Sequence, residues 1–435
     1  MLELKNEIEA VRDWKGPRVS GRVTHVIGVI IESLGPQNVF VGELCHVYGR
    51  ERKPILCEIV GFKGEKILLM SYGSLEGVVP GAEVYPLEKK HQVKVSEDLL
   101  GRTLDAWGEP IDGRPPLEFS KTYPVTAPPP KPFERAQIDL PFLTSIRAID
   151  GLCTIGEGQR VGIFSPPGVG KSSLMATLAR GSTADVNVIA LIGERGREVR
   201  EFVERQLGPE GLAKSVLVVA TADEPALLRK KGAFVATAIA EYFRDQGKSV
   251  LLMMDSLTRF CMALREIGLA VGEPPTQRGY PPSVFATLPQ LLERVGNTTK
   301  GAITALYTVL TEEDSFGDPI PEQIRSLVDG HIILSQKLAE RGHYPPIDVE
   351  RSLSRLMRHL ITKEHQEGAI EVRRLLGQSK EAEEMLQMGA YTRGTHTGMD
   401  TALNKKEALD SFLMQDSHEQ ETLVETLRKL EELTQ

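Results

Sequence analysis

The chain has 435 residues, 41% of them hydrophobic, and its formal net charge at pH 7 is −8. That length exceeds what one hydrophobic core usually serves, so we expect two or three domains. The acidic balance disfavours nucleic acid as a partner, which rewards dense lysine and arginine, and no apolar run approaches the roughly 20 residues of a membrane span.

The sequence predicts a cytosolic protein. Its first residues (MLELKNE) lack the basic start and apolar stretch of a secretory signal. Its four cysteines are far apart and contain no C-x-x-C pair, which argues against a structural zinc site and for a reducing compartment.

Residues 1–18 form a predicted N-terminal amphipathic segment. Leu4, Ile8, Val11 and Trp14 recur at spacings of three and four with charges between them, which is typical of a short helix over residues 2 to 14. Such a terminal helix either packs on its own domain or docks a partner, and the residues leave both roles open.

Residues 19–89 carry short β-rich runs between glycine and proline turns, including residues 21–31, 55–60 and 66–70. Several strands at short, regular intervals predict a small closed barrel. No catalytic constellation is visible in it, so we expect a structural role.

In the predicted central domain, residues 90–362, strands alternate with helices. A proline-rich stretch at 110–132 predicts an extended connection. Beyond it, the predicted strands are 186–192, 215–220, 249–254 and 301–307, and helical patterns occupy 197–207 and 233–246. This alternation indicates an α/β fold with a parallel sheet covered by helices on both faces.

The predicted C-terminal domain, residues 363–435, is helical. The patterns indicate helices at 364–376, 380–388 and 419–433. The expected architecture is therefore an α/β nucleotide-binding core with an N-terminal small β-barrel and a C-terminal helical domain.

The central motif runs from Ser165 to Ser172 (SPPGVGKS), between an apolar run and a helical pattern. Strand, glycine-bearing turn, Lys-Ser and helix is the layout of a phosphate-binding P-loop. Glycines let backbone N–H groups converge on a phosphate, Lys171 is expected on the β/γ-phosphates, and the Ser172 hydroxyl on Mg²⁺. The first motif position is Ser165 where the pattern has glycine, and two prolines follow it. The predicted nucleotide-binding residues of the loop are Gly168, Val169, Gly170, Lys171, Ser172 and Ser173.

Two carboxylates follow predicted strands. Asp255 ends the apolar run 249–254, a position from which P-loop enzymes fix Mg²⁺, usually through water. Glu194 follows the run 186–192 and a glycine, and it could orient or deprotonate the attacking water. The neighbouring charges of residues 197–201 form a solvated helix face.

The turn YPPID at residues 344–348 precedes a segment that contains Arg355. Tyr344 is a candidate to stack on adenine, and a packed turn tyrosine is the alternative. A lone arginine such as Arg355 would ordinarily belong to a salt bridge.

The segment 345–354 (PPIDVERSLS) resembles the signature of rotary-type ATPase α/β subunits. Further stretches are similar to the ATPases of type III secretion, flagellar or injectisome: GERGRE (193–198), LLMMDSLTRF (251–260), GEPP (272–275), RGYPPSVF (278–285), DGHI (329–332) and LAERGHYP (338–345). The resemblance covers nearly the whole chain.

This resemblance implies a homohexameric ring that hydrolyses ATP with Mg²⁺ at its interfaces. Arg355 would be a finger reaching the γ-phosphate on a neighbouring subunit. The implied catalytic set is Lys171, Glu194, Arg195, Asp255, Arg259 and Arg355, with Ser172 and Asp255 holding Mg²⁺. The family often places an aromatic or apolar group against adenine near Asp416 to His418, where this sequence offers only His418.

The resemblance also implies partners: a stator-like regulator at the N-terminal helix, a central coiled-coil stalk protein, the export gate and chaperone–substrate complexes. The ring would lie at the cytoplasmic face of the inner membrane. Three rivals are a catalytic subunit of a rotary F/V-type ATP synthase, a hexameric nucleic-acid motor and a pseudo-enzyme that acts only as a docking ring. The pseudo-enzyme would require the loss of Lys171, Glu194 or Asp255, and all three are present. The motor is disfavoured because residues 19–86 lack a basic cluster.

Overall fold

The computed structural model describes residues 19–119, 121–311 and 318–434. The helix predicted for residues 2 to 14 lies outside these ranges. The described part of the chain divides into two compact units, one of residues 19–91 together with 266–274, and one of residues 92–265 together with the described residues from 275 onward. Among the described helices, none is long and apolar enough to cross a bilayer.

The first unit contains a closed antiparallel barrel, as predicted. Its strands are β1 (Gly21–Ile27), β2 (Ile30–Leu34), β3 (Leu44–Tyr48), β4 (Pro54–Lys63), β5 (Lys66–Ser71) and β6 (Glu83–Pro86). They follow one another around the barrel in the order β1-β2-β5-β4-β3-β6. Ile31, Val47, Leu69 and Val84 are fully buried in its interior, because every second side chain of a strand points to the same face.

The second unit begins with β7 (Gln92–Val95), β8 (Thr103–Leu104), β9 (Lys121–Pro124), β10 (Pro141–Phe142), α1 (Arg147–Leu152), β11 (Ile155–Gly156), β12 (Arg160–Ser165), α2 (Lys171–Gly181), β13 (Val186–Ile192), α3 (Gly196–Glu201), a π-helical turn (Phe202–Leu207) and α4 (Gly208–Ala213). The chain continues with β14 (Ser215–Ala220), α5 (Ala226–Asp245), β15 (Ser249–Asp255), α6 (Leu257–Ala270), α7 (Pro282–Leu292), β16 (Gly296–Asn297) and β17 (Ala302–Leu310). Its last elements are α8 (Pro319–Leu327), β18 (Gly330–Leu334), α9 (Gln336–Glu340), β19 (Ile347–Ser354), α10 (Met357–Leu360), α11 (Lys363–Gln387), α12 (Thr397–Leu413) and α13 (Leu423–Thr434).

The core of this unit is a sheet with strand order β19-β18-β12-β17-β15-β13-β14-β8. Neighbours along this order are parallel except β18 and β19, and the short strand β16 pairs with β17 in the antiparallel direction. Val188 and Ala190 face one hydrophobic cluster that includes α5, while Ile189 and Leu191 face another that includes α2. A sheet covered on both faces explains why its strands read as continuous apolar runs. The predicted α/β core is confirmed.

Two predictions about which elements form were wrong. The proline-rich stretch 110–132 is not all connection, because β9 lies within it and pairs with β7. The predicted helices 364–376 and 380–388 are one helix, α11. A glycine inside a helix costs only about 1 kcal/mol relative to alanine, and burial of Leu375, Ser379 and Ala382 on either side of the suspected break offsets that cost.

Candidate active site

The P-loop joins the end of β12 to the beginning of α2. Gly168 and Gly170 have φ angles of 80° and 90°, a left-handed region that side chains with a Cβ avoid. The Val169 side chain is buried in the cluster beneath the sheet, so only its backbone is available to a ligand. Lys171 to Ser173 form the first turn of α2, whose free N–H groups and positive dipole end favour an anion. The predicted strand–loop–helix is confirmed.

Lys171 and Asp255 form an ion pair at the centre of the site. β15 ends at Asp255, and the Lys171 Nζ atom lies 2.5 Å from the Asp255 Oδ1 atom. The Thr308 hydroxyl, on the adjacent strand β17, donates a 2.8 Å hydrogen bond to the same oxygen. Both charged side chains are largely buried. Each side chain of this pair neutralises the charge of the other, at the end of the sheet where the P-loop lies.

Glu194 lies next to this pair. Its Oε1 atom is 3.9 Å from the Lys171 Nζ atom, because β13 and β15 are neighbours and both end at this edge. Burial, reinforced by the Asp255 carboxylate, raises the pKa of Glu194 to about 7, although Lys171 acts in the opposite direction. A carboxylate with a pKa near neutrality is suited to accept a proton at physiological pH.

The two predicted arginines beside Glu194 differ in their surroundings. Arg195 is exposed and pairs with Glu198 at 2.8 Å, and this hydrogen bond lowers the pKa of Glu198. Arg259 packs against the turn that precedes Glu194, since a Cβ atom on Gly193 would lie 2.8 Å from the Arg259 Cβ atom. Its Nε atom is buried and has no hydrogen-bond partner among the described residues. Arg259 therefore lies against the turn that precedes Glu194, with one buried guanidinium donor unpaired among the described residues.

Tyr344 lies against the P-loop. A Cβ atom on Gly170 would be 3.4 Å from the Tyr344 Cε1 atom. Tyr344 itself is about half exposed. A partly exposed ring beside the phosphate loop is suited to stack on a base. The structure thus brings Tyr344 next to the P-loop, and its role in stacking on adenine stays a prediction.

Residues 414–421, which we call the base-side segment, approach Tyr344 and α2. The Gln415 backbone N–H donates to the Tyr344 carbonyl at 2.9 Å. The Ser417 carbonyl accepts hydrogen bonds from the Thr177 hydroxyl at 3.2 Å and from the Arg180 guanidinium at 2.7 Å. His418, the only side chain that the sequence offered here for the adenine pocket, is exposed.

Sequence reasoning missed Arg147, which holds the base-side segment in place. This buried arginine in α1 donates to the carbonyls of Phe412 and Met414 and pairs with Glu419 and Glu421. It also explains why the helix predicted from residue 419 begins only at Leu423. An isolated arginine in an apolar stretch carries no motif, so the sequence offered no signal for it.

Arg355 lies at the end of the sheet opposite the P-loop, beside the beginning of β12. It follows β19, whose last residue, Ser354, is in register with Gly330, and Gly330 is in register with Val161 near the beginning of β12. The P-loop leaves the far end of that same strand. The Arg355 guanidinium is exposed, and the contact found for it within the described ranges is a 3.5 Å hydrogen bond to a backbone carbonyl. One chain therefore brings Lys171, Glu194 and Asp255 together but does not bring Arg355 to them.

The donors at the P-loop edge fit Mg²⁺. Ser172 offers a half-buried hydroxyl in the first turn of α2, and Asp255 offers a carboxylate. Mg²⁺ prefers oxygen ligands and commonly takes one or two from protein, the others coming from water and phosphate. Two oxygen donors beside a phosphate loop are consistent with that preference.

Three family models match the chain. The ATP synthase alpha/beta family beta-barrel domain matches residues 23–88, its nucleotide-binding domain matches residues 145–354, and the T3SS EscN ATPase C-terminal domain matches residues 361–432. The last of these favours export ATPases over catalytic subunits of rotary ATP synthases.

Relatives from both kinds of export system are similar over nearly the full length. The chain is 48% identical to the flagellum-specific ATP synthase of Bacillus subtilis over 95% of both chains. It is also 48% identical to the type 3 secretion system ATPase of Xanthomonas euvesicatoria, over 95% of this chain and 94% of that protein.

Solved structures of a type III secretion ATPase are also similar to this chain. The assembled ATPase EscN of the enteropathogenic E. coli type III secretion system superposes with a TM-score of 0.90 at 42% identity, covering 95% of this chain and all of that one. EscN in complex with its central stalk EscO gives a TM-score of 0.87 at 41% identity over the same coverage. The chain therefore belongs to the family of type III secretion and flagellar export ATPases, within the ATP synthase alpha/beta family.

Proposed function

We propose that six copies of this chain form a ring that hydrolyses Mg²⁺-ATP at its subunit interfaces and thereby supports protein export through a flagellar or injectisome apparatus. The observation that carries the interface part is the position of Arg355, exposed at the sheet edge opposite its own P-loop. The assembled state of EscN, at 42% identity, supports the ring.

Within one subunit, the P-loop backbone and Lys171 bind the triphosphate. Phosphate oxygens would replace Asp255 as the partner of the Lys171 ammonium, leaving the Asp255 carboxylate and the Ser172 hydroxyl to hold the metal. Mg²⁺, when bound, neutralises phosphate charge and orients the phosphoryl group. Tyr344 stacks on the base, and the base-side segment lies beside it.

Glu194 accepts a proton from the attacking water, since its raised pKa makes the carboxylate a competent base near neutral pH. Arg259, which packs against the turn before Glu194, helps to orient the water or a phosphate oxygen. Arg195, whose side chain is exposed and pairs with Glu198, contributes positive charge at the outer surface of the P-loop end of the sheet.

Arg355 supplies the remaining cation from the next subunit. Charge spreads over the phosphoryl oxygens in the transition state, and an arginine finger that offsets it raises the rate by about 10³–10⁵ in other phosphoryl-transfer enzymes. The Arg355 guanidinium is exposed and has no carboxylate partner among the described residues. This suits the task, because a finger must not be neutralised in its own chain.

The proposed partners follow from the relatives. EscN has been solved with its central stalk EscO, so we propose a coiled-coil stalk protein in the ring of this chain too. A stator-like regulator at residues 1–18, the export gate and chaperone–substrate complexes complete the proposal. The ring would be peripheral at the cytoplasmic face of the inner membrane.

Replacing the finger tests the proposal. We expect Arg355→Ala to bind ATP with near-normal affinity while kcat falls by at least about 10³-fold, as measured by steady-state hydrolysis and fluorescent-nucleotide titration. Arg428→Ala, on the exposed face of α13, is the matched control and should behave like the unmodified chain. Unchanged turnover in Arg355→Ala would exclude the finger.

A further inference from the structure

A polar cluster fixes the backbone from which Arg355 projects. The Arg355 backbone N–H donates a 3.0 Å hydrogen bond to the Asp329 carbonyl. The buried Gln159 side chain donates to that same carbonyl at 3.0 Å and to the Ser354 hydroxyl at 3.1 Å. The Gln159 amide group thus holds both the residue that precedes β18 and the last residue of β19. We call this place, where residues 329–330 lie beside residues 354–355, the β18–β19 junction.

The Asp329 carboxylate is held in turn by Arg160. The Arg160 Nε and Nη2 atoms donate to the two carboxylate oxygens at 3.0 and 3.2 Å, and its backbone N–H donates to Oδ2 at 3.2 Å. Arg160 also pairs with Glu293, which Arg135 contacts from the other side at 3.0 Å. Two-point guanidinium–carboxylate contacts restrict orientation as well as distance.

The junction is also closely packed. A Cβ atom on Gly330 would lie 2.8 Å from the Leu353 carbonyl oxygen and 3.1 Å from the Gln159 Nε2 atom. The close backbone approach at Gly330 and the two-point ion pair between Arg160 and Asp329 therefore both fix the position at which the chain leaves the sheet after β19. By contrast, the Arg355 side chain is exposed, so the cluster holds the backbone of the finger and not its guanidinium.

We propose that Asp329, clamped by Arg160 and Gln159, is a positioning residue that aims the Arg355 guanidinium at the neighbouring active site. This inference rests on the proposed function of Arg355. Because misplacement of a transition-state contact by about 1 Å can cost as much as 10²-fold in rate, loosening the cluster should lower kcat while leaving the subunit's own nucleotide site intact.

The first test is Asp329→Asn, which keeps the backbone carbonyl but removes one charge-assisted contact to Arg160. We expect kcat to fall roughly tenfold with KM for ATP unchanged within about a factor of two and with normal ring assembly. Gly330→Ala, which perturbs the same junction by steric displacement without altering any charge, should give the same kcat-only loss.

The matched control is Asp112→Asn. Asp112 forms a comparable two-point contact with Arg102, at 2.6 and 2.8 Å, but in the loop beyond the edge strand β8, far along the sheet from β18. It should lose some stability and keep its kcat. If Asp112→Asn lowers kcat as much as Asp329→Asn, the effect is general and the positioning role is refuted.

A mixing experiment separates aiming from folding. Lys171→Ala subunits cannot use ATP but carry an intact finger and junction. In rings formed by random mixing with an equal amount of Asp329→Asn subunits, about a quarter of the interfaces combine a working P-loop with an intact finger. We expect turnover of the mixture to exceed the mean of the two separate preparations, which a folding defect in the Asp329→Asn subunit would not allow.

Arg355→Ala mixed with Lys171→Ala serves as the reference. If that mixture shows no recovery, the finger does not act across the interface and the proposed function itself fails. If the reference recovers but Asp329→Asn and Gly330→Ala turn over at the unmodified rate by themselves, the finger stands and the positioning role is wrong.

Discussion

Tyr344 and Arg355 lie just before and just after the same strand, β19. At about 3.3 Å per residue, the eight residues of this strand separate its two ends by roughly 25 Å. Tyr344 lies against the P-loop of its own chain, whereas Arg355 emerges at the opposite edge of the sheet. One strand thereby connects the base side of one proposed site with the cation proposed to complete the next.

Asp255 is expected to set the metal requirement. With Asp255→Asn, the carboxylate that helps to hold Mg²⁺ is lost, and we expect the Mg²⁺ concentration for half-maximal hydrolysis to rise roughly 10- to 100-fold. Thr308→Val, which removes only the hydroxyl that donates to Asp255, should cause a smaller rise. Titration of ATPase activity with Mg²⁺ measures both. An Asp255→Asn curve that overlays the unmodified one would contradict this role.

Glu194 is expected to impose a pH dependence. Its pKa, raised to about 7, means that it is mostly protonated below that pH and mostly ionised above it. Since only the ionised carboxylate accepts a proton, kcat/KM for ATP should rise with pH through about 7 and then level off.

The variant Glu194→Gln should lose this limb together with about 10²- to 10⁴-fold in turnover while retaining nucleotide. Glu201→Gln, in the exposed part of α3, is the control and should keep the profile. A flat pH profile for the unmodified chain, or brisk hydrolysis by Glu194→Gln, would assign the base elsewhere.

Tyr344 is expected to contribute binding rather than chemistry. Aromatic stacking on a base is worth about 1–3 kcal/mol, so Tyr344→Ala should weaken ATP binding by roughly 5- to 150-fold with a smaller effect on kcat. Tyr344→Phe keeps the ring and should bind nearly as well as the unmodified chain. Equal ATP affinities for Tyr344→Ala, Tyr344→Phe and the unmodified chain would show that Tyr344 is a packed turn residue and does not stack on the base.

The sequence predicted the parts of the fold that depend on local patterning. The strands Val186–Ile192 and Ser215–Ala220 have the predicted bounds, because strands buried on both faces leave uninterrupted apolar runs. The break in α11 was wrong because tertiary burial outweighed one glycine. The domain boundaries at residues 89 and 362 stay predictions.

For the site, the sequence predicted the groups that follow strands at the P-loop edge, since parallel strands end together. It could not show that Arg355 leaves the sheet at the other edge, because that depends on the antiparallel register of β18 and β19. Nor could it identify Arg147 or Asp329, whose partners are distant in sequence and are brought near only by packing.

The central claim is that each active site needs a neighbouring subunit, and the specific activity of the unmodified chain across its assembly range tests it most directly. Turnover per subunit should be measured alongside the oligomeric state, from dilute monomer to complete ring. We expect activity per subunit to be very low for the monomer and to rise with the ring fraction as Arg355 reaches the adjacent P-loop. A monomer that hydrolyses ATP as fast per subunit as the ring would contradict the account.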